Sequence, residues 1–241
     1  MIDIVSESAK LKWYHKIEIV PGVFTIPERD FSTCWDLIES NFPTDLAGLS
    51  VLDVGTRDGK YAFMAEKQGA IVRAIDSNRS EGAELIARHT ASRINFEWMS
   101  LYDLDDRKWD VILFFGVLYH LRYPMKALSI LSERLNQNGL MYLETAVLDS
   151  LHDMPLLYCP VRSSPYEITS CSFFNLLGLE ETLWSFGMTM GAPKYNPKET
   201  GNIKRCFLTA QKTHAMRPEL HGYWNRVHDE QGWATGTAFV K

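Results

Sequence analysis

The chain has 241 residues, enough for one large domain that buries a core without disulfide or metal staples. Apolar residues make up 46% and charged residues 23%, which excludes a disordered or fibrous chain. A formal net charge of -5 and a pI near 5.8 supply no bulk positive field for nucleic acid or an acidic membrane, although a local basic patch can survive within an acidic whole.

In chain order, residues 1–47 are aromatic and irregular, with a helix predicted within "DFSTCWDLIESNF". Pro43 and Gly48 break the chain before the first strong strand, "VLDVG". A helix follows through "KYAFMAEKQG", with Gly69 as its C-terminal cap, then the strand "IVRAID" and the helix "EGAELIARHTAS". Next come the strands "INFEWMS" and "WDVILFFG", a helix from Met125 to Leu135, an "NQNG" turn and the strand "LMYLETAV". Short apolar strands alternating with helices predict a mostly parallel sheet covered on both faces. Residues 148–170 read as an irregular excursion and "FFNLLGLEETLWSFG" as a last helix. "MTMGAPKY" and "KRCFLTAQK" are expected to form a terminal antiparallel hairpin around "NPKETGN". The expected organisation is an N-terminal aromatic and helical lid over 1–47, a nucleotide-binding domain over 48–212, and a tail over 213–241. The tail tryptophans Trp224 and Trp233 can pack on the parent chain or on a second copy, as in a homodimer.

Four scattered cysteines (Cys34, Cys159, Cys171, Cys206) carry no metal-ligand spacing, so no metal is expected and the thiols read as reduced. The longest apolar run, "VILFFGVLY", is too short to span a bilayer, and the N-terminus lacks an apolar signal core; a soluble, cytoplasmic protein with no membrane partner is expected.

The loop "DVGTRDG" follows a buried strand and precedes a helix, where free N–H groups and a Gly turn let a ligand approach the backbone. Its spacing (Gly55, Thr56, Arg57, Asp58, Gly59) lacks the middle glycine of the dinucleotide motif, and no Lys-Ser/Thr of a P-loop follows. It fits better the D-x-G-x-G-x-G loop that wraps the methionine part of S-adenosylmethionine, with Asp53 within the strand. Asp76, beside Ser77 and 21 residues beyond Gly55, is suited to accept both ribose hydroxyls and repels a 2′-phosphate. Leu101 and Tyr102, with Asp103, lie where the adenine would be held; Asp105 and Asp106 read equally as a solvated turn. After the strand ending at Phe115 and Gly116, "VLYHL" places Tyr119 and His120 where a substrate meets the donor. His120 is the candidate general base, and Tyr119 a hydrogen-bond donor or orienting group. Glu144 sits on the same rim, either binding substrate or capping a helix.

Together, "WYHKIEIVPGVFT", "VLDVGTRDG", "FFGVLYHLRYPMKAL" and "MYLETAV" resemble the tRNA wobble-uridine (uridine-34) carboxymethyltransferase family and its shorter methyltransferase relatives, over roughly residues 13–212. The resemblance implies an α/β, Rossmann-like class I methyltransferase fold: a seven-stranded, mostly parallel sheet with an antiparallel terminal strand and helices on both faces. It implies S-adenosylmethionine or its carboxylated form as donor, yielding S-adenosylhomocysteine from the former. Trp13, Asp53, Gly55, Thr56, Gly59, Asp76 and Tyr119 match donor positions, and Phe115 lies beside them. Arg205 matches an arginine that helps bind the extra carboxylate. Twelve residues precede Trp13, where the tRNA enzyme carries a longer extension with a lysine for that carboxylate, and Arg57 replaces the usual middle glycine.

These departures and the acidic pI favour a small-molecule acceptor, methylated at oxygen or nitrogen, over tRNA. Tyr14, His120, Glu144, Phe174, Asn175 and Arg205 are the candidate substrate contacts. Trp13, Tyr14, Phe24, Phe31, Trp35 and Phe173 serve either as lid and wall or as core. The alternatives are tRNA modification over a basic groove of Lys194, Lys198, Lys204, Arg205 and Arg217, or a non-catalytic binding protein of the same fold.

Overall fold

The computed structural model describes residues 4–149, 153–196 and 201–215. A short helix α1 (Ile4–Ser8), an antiparallel hairpin of β1 (Glu18–Val20) and β2 (Val23–Phe24), and helix α2 (Ser32–Glu39) form the N-terminal segment. The alternating body follows: β3 (Ser50–Val54), α3 (Lys60–Lys67), β4 (Ile71–Asp76), α4 (Glu81–Thr90), β5 (Asn95–Trp98), β6 (Trp109–Phe115), α5 (Pro124–Glu133) and β7 (Leu135–Leu148). The last third contains the small pair β8 (Leu157–Tyr158) and β9 (Phe173–Phe174), helix α6 (Leu176–Ser185), and strands β10 (Met188–Met190), β11 (Lys194–Tyr195) and β12 (Ile203–Lys212).

The main sheet runs β10-β12-β7-β6-β3-β4-β5. Its β5-β4-β3-β6-β7 stretch is parallel, and β12 is antiparallel to β7, β10 and β11. β10 and β11 share one edge of β12, β10 pairing with its C-terminal end and β11 with its middle. The sheet therefore has eight strands where seven were expected, the extra one being the two-residue β11. "NQNG" does not precede the strand but lies inside β7 as an irregularity, with Asn138 at φ 66°. The Asn136 amide donates to Asp110 across to β6 at 2.8 Å, which keeps the segment tied to the sheet.

Strand alternation sorts the core into two layers. From β3, Leu52 and Val54 face one side with Leu128 and Leu131 of α5 and Leu179 and Leu183 of α6. Val51 faces the other side with Tyr61, Ala62 and Ala65 of α3 and Leu37 and Ile38 of α2. Asp53 lies between two core residues on the α3 side by the same alternation and is 2% exposed. Every crossover runs from a strand's C-terminal end, so the loops after β3, β4, β5 and β6 gather on one rim. Among the described residues, no helix is long and apolar enough to cross a membrane.

Trp13 packs with Ile4, Ile17 and Ile19 against Leu85 and Ile86 of α4. A Cβ on Gly82 would come 2.7 Å from the Trp13 ring, so this helix carries glycine where an indole seats. Gly82→Ala improves helix propensity by roughly 1 kcal/mol, yet overpacking costs about 1–3 kcal/mol. The expected net result is a lower urea midpoint; an unchanged or higher midpoint would show that the indole is not seated there.

Candidate functional site

The loop between β3 and α3 turns through three left-handed residues, Gly55 (φ 78°), Arg57 (φ 55°) and Gly59 (φ 87°). Gly55 is required: a Cβ there would sit 2.2 Å from Cγ2 of Val117, the residue that opens the turn after β6. The two loops thus touch directly. Arg57 takes the left-handed conformation at a cost of roughly 1 kcal/mol; its N–H donates to Asp76 Oδ2 at 2.9 Å, and its guanidinium lies 5.5 Å from the Tyr14 ring centroid. Asp76 Oδ1 accepts from Asn78 N–H at 2.9 Å, and each oxygen retains acceptor capacity. Ser77 Oγ accepts from the Asn78 amide at 3.2 Å.

Asp53 is the unusual acid of this rim. Burial pushes its pKa up to about 7, with the Asp76 charge adding to the rise and the Thr56 hydroxyl and Ala62 N–H offsetting it in part. Its Oδ2 is buried with no hydrogen-bond partner among the described residues. A buried carboxylate oxygen without a donor is a place for a ligand's cationic N–H group.

Asp58, in the same loop, does what the sequence did not announce. Its Oδ2 accepts the N–H groups of Tyr14 (2.7 Å) and His15 (2.9 Å), and its Oδ1 bonds His15 Nδ1. Although burial opposes ionisation, these bonds hold the carboxyl below its ordinary range. A single carboxylate therefore fastens the N-terminal segment onto the loop. Around it Tyr14 stacks on Phe31 at 5.0 Å, and the His15 ring lies 5.3 Å from Tyr61 and 5.8 Å from Trp35.

The floor of the rim is a buried ion pair. Glu144 is fully buried and Arg205 4% exposed. Arg205 pairs with Ala146 and Glu144 with Phe207 across β7 and β12, so the two side chains are diagonal neighbours on one face. Arg205 Nη2 donates to Glu144 Oε2 at 2.5 Å and Nε to Oε1, filling the guanidinium fork. Nη1 donates to Tyr119 Oη at 2.6 Å, and the guanidinium carbon lies 4.8 Å from the Tyr119 ring centroid. Burial penalises the Arg205 charge, and Glu144 with Tyr119 more than repays it, so the group stays charged.

His120 follows Tyr119 on a single 3₁₀ turn, Leu118–His120. Its Nδ1 lies 3.1 Å from Thr169 Oγ1 and its Nε2 3.7 Å from Glu167 Oε2. Burial lowers its pKa below 6.5, against the raising effects of Thr169 and Glu167, so the ring is neutral at pH 7. Glu167 also lies 3.9 Å from Arg205 Nη1. Leu101 and Tyr102 sit with Asp103 on the 3₁₀ turn after β5, where Ser100 Oγ caps Tyr102 N–H at 3.3 Å.

The structure thus brings Asp53, Gly55, Thr56, Gly59, Asp76, Ser77, Leu101 and Tyr102, with His120 and Tyr14, to one rim. Other expectations are corrected. Trp13 is core, its Nε1 donating to Ser8 O at 2.9 Å. Phe115 is core against Tyr61, Phe42 and Phe207. Phe173 and Phe174 are buried, and Asn175 caps α6, accepting from Gly178 and Leu156 and donating to Met154. Tyr119 is buried, its hydroxyl accepting from Arg205 Nη1. Arg205 is occupied by Glu144, which neither faces open solvent nor caps a helix. Of the basic set, Lys204 pairs with Asp149 and Lys194 with Asn41, while Lys198 and Arg217 lie outside the described residues. The roles of Asp58 and His15 left no sequence signal beyond an acid in a Gly loop and a His beside two aromatics.

A methyltransferase domain family model matches residues 27–191. The tRNA U34 carboxymethyltransferase of Campylobacter jejuni subsp. doylei is 30% identical over 165 residues, 64% of this chain and 55% of that protein. Its Helicobacter pylori counterpart is 32% identical over 144 residues, 56% of this chain and 54% of that protein. The chain spans about half the length of these curated relatives. Among solved structures, the N-terminal domain of EvdMO1, crystallised with S-adenosylhomocysteine and D-fucose, superposes with a TM-score of 0.65 at 15% identity, covering 88% of this chain and 97% of that one. The Burkholderia thailandensis 1,6-didemethyltoxoflavin-N1-methyltransferase superposes with a TM-score of 0.58 at 20% identity, covering 76% and 77%. These two likenesses are of fold.

Glu144→Gln leaves a buried guanidinium without its counter-charge. Loss of about 3–5 kcal/mol of folding stability is expected, read by chemical denaturation. A loss under about 1 kcal/mol, the scale of an exposed pair, would show that the pair is not buried in solution.

Proposed function

This chain belongs to the methyltransferase domain family, and we propose that it methylates a small molecule at oxygen or nitrogen, with S-adenosylmethionine as donor and His120 as base. One observation carries the reading: a histidine held neutral by burial stands on the short turn after β6, and Val117, just before that turn, touches the Gly55 loop, two residues after Asp53, whose Oδ2 has no partner among the described residues.

When bound, the donor supplies an electrophilic methyl group on a sulfonium. Asp53 is suited to its ammonium group and Asp76 to the ribose hydroxyls. The turn at Leu101–Asp103 is suited to the adenine. The tautomer with Nδ1–H donating toward Thr169 leaves His120 Nε2 free to accept the proton of an acceptor hydroxyl or amine. Glu167, 3.7 Å away, then stabilises the imidazolium. Holding the two reactants in line supplies much of the remaining acceleration.

The Arg205 fork supports the ordinary donor. It is filled by Glu144, and Glu167 leaves the local group with one carboxylate in excess, which disfavours a further carboxylate on the donor. The second reading, tRNA modification with the carboxylated donor, draws on the curated relatives. Steeply salt-dependent tRNA binding would support it.

Calorimetric titration should show saturable binding of S-adenosylmethionine, and absence of binding would sink the reading. The Asp53 pKa of about 7 adds a sign. Being raised, it means that burial of the neutral acid favours the fold below the ordinary Asp range, an advantage lost as pH rises through about 7. A cationic ammonium needs the ionised acid, so donor affinity should climb as pH passes upward through about 7, and Asp53→Asn should flatten that climb. His120→Ala should cut turnover by about a hundredfold or more with donor affinity nearly unchanged. The wild-type rate should fall on an acid limb below pH 6.5; activity within a few-fold of wild type in the variant would remove the base assignment.

A further inference from the structure

Two acceptor atoms converge at the rim. The His120 and Glu167 side chains are 30% and 34% exposed, and Nε2 of the one stands 3.7 Å from Oε2 of the other. That separation is too long for a hydrogen bond between them. Thr169 Oγ1, 3.1 Å away, takes up Nδ1 of the ring, so with the proton on Nδ1 the Nε2 lone pair is left over. The Glu167 carboxylate accepts no hydrogen bond among the described residues; Arg205 Nη1, 3.9 Å away, donates to Tyr119 instead. Both groups adjoin the Gly55 loop. Val117, just before the turn that carries His120, touches Gly55. Tyr14, fastened to the loop by Asp58, is pushed up to about 12 by burial, with Arg205 lowering its pKa and Glu167 raising it. Glu167 is thus within electrostatic reach of the segment tied to the loop.

Hydrogen-bond valence decides what fits. A nitrogen about 2.9 Å from each atom completes a triangle on the 3.7 Å base, and two of its N–H bonds reach both acceptors with bends of about 15°. A hydroxyl has one hydrogen, so it satisfies one acceptor and turns an oxygen lone pair toward the other.

We infer that His120 and Glu167 form a two-acceptor clamp for a primary amine, Nε2 taking one N–H and Oε2 the other. That this amine is the methyl acceptor rests on the methyl-transfer reading; the clamp itself does not. An amine that arrives as an ammonium ion sheds its third proton to water, which leaves a lone pair directed away from both acceptors. On methyl transfer the new N–C bond takes that lone pair, the sulfonium S–C bond leaves its pair on sulfur, and the proton facing Nε2 passes to His120.

The test uses the full chain without donor. The His120 ring ¹⁵N signals, identified by their loss in His120→Ala, are followed while methylamine, benzylamine, methanol and benzyl alcohol are titrated in turn. A saturable Nε2 shift is expected with at least one amine and with neither alcohol. Benzyltrimethylammonium, a cation without N–H, should produce no such shift. Glu167 is a third exposed, so Glu167→Gln spares the core. It should weaken amine binding about ten-fold or more, the effect of one charge-assisted hydrogen bond. Equal response to amine and alcohol, binding of benzyltrimethylammonium as tight as that of benzylamine, amine affinity unchanged in Glu167→Gln, or no shift with either amine would overturn the proposal. Because neither donor nor turnover enters, failure here leaves donor binding and the His120 base assignment standing, and their failure leaves this result standing.

Discussion

The structure is organised on the need to keep one buried arginine charged. Arg205 sits beneath the rim with almost no access to water, and only a carboxylate in bidentate geometry offsets its desolvation. That requirement places Glu144 on the facing strand, two residues from the residue opposite Arg205, and so couples chemistry to the antiparallel register of β7 and β12. It also places Tyr119 under the guanidinium, with the hydroxyl on Nη1 and the ring face on the cation. With Tyr119 held, the next residue, His120, is carried to the rim on a turn too short to wander. The ion pair is a foundation for the turn that carries His120.

A second carboxylate works at the other side of the rim. Asp58 spends its acceptors on the N-terminal segment, and Asp53, five residues earlier, keeps one oxygen unspent. Both are buried, and their environments push them in opposite directions: Asp58 receives the N–H groups of Tyr14 and His15 and stays ionised, whereas at Asp53 burial outweighs the Thr56 and Ala62 bonds and the acid tends to hold its proton. The first acid ties two parts of the chain together, and the second keeps Oδ2 without a partner among the described residues. The left-handed backbone at Gly55, Arg57 and Gly59 makes the difference, turning one side chain toward the preceding segment while the other remains in the strand.

Much of this was legible in residues alone. Alternation of apolar strands with helices, the Gly loop after "VLD", an acid at the end of the next strand and a Tyr-His pair after "WDVILFFG" each have a local cause; the loop, the acid and His120 lie at the C-terminal ends of the strands, and Tyr119 is buried. The aromatic residues were less legible, because Trp13, Phe115, Phe173 and Phe174 are apolar enough for core or lid, and only their neighbours decide. Asn175 looked like a polar wall residue and is a helix cap, a role that depends on where α6 begins. The pairing of Glu144 with Arg205 joins positions 61 residues apart, and the Asp58 clamp joins positions 43 and 44 apart; no spacing rule reaches so far.

The sequence by itself determined the class of fold, the order of its main elements and the location of the glycine loop after β3, because hydrophobic period and glycine placement act over a few residues. The tertiary structure decided which carboxyl keeps an oxygen without a partner, which arginine is spent and which histidine is neutral. Those properties are set by burial and by partners that the fold brings from distant parts of the chain, and a charge has no ordinary pKa until its neighbours are known.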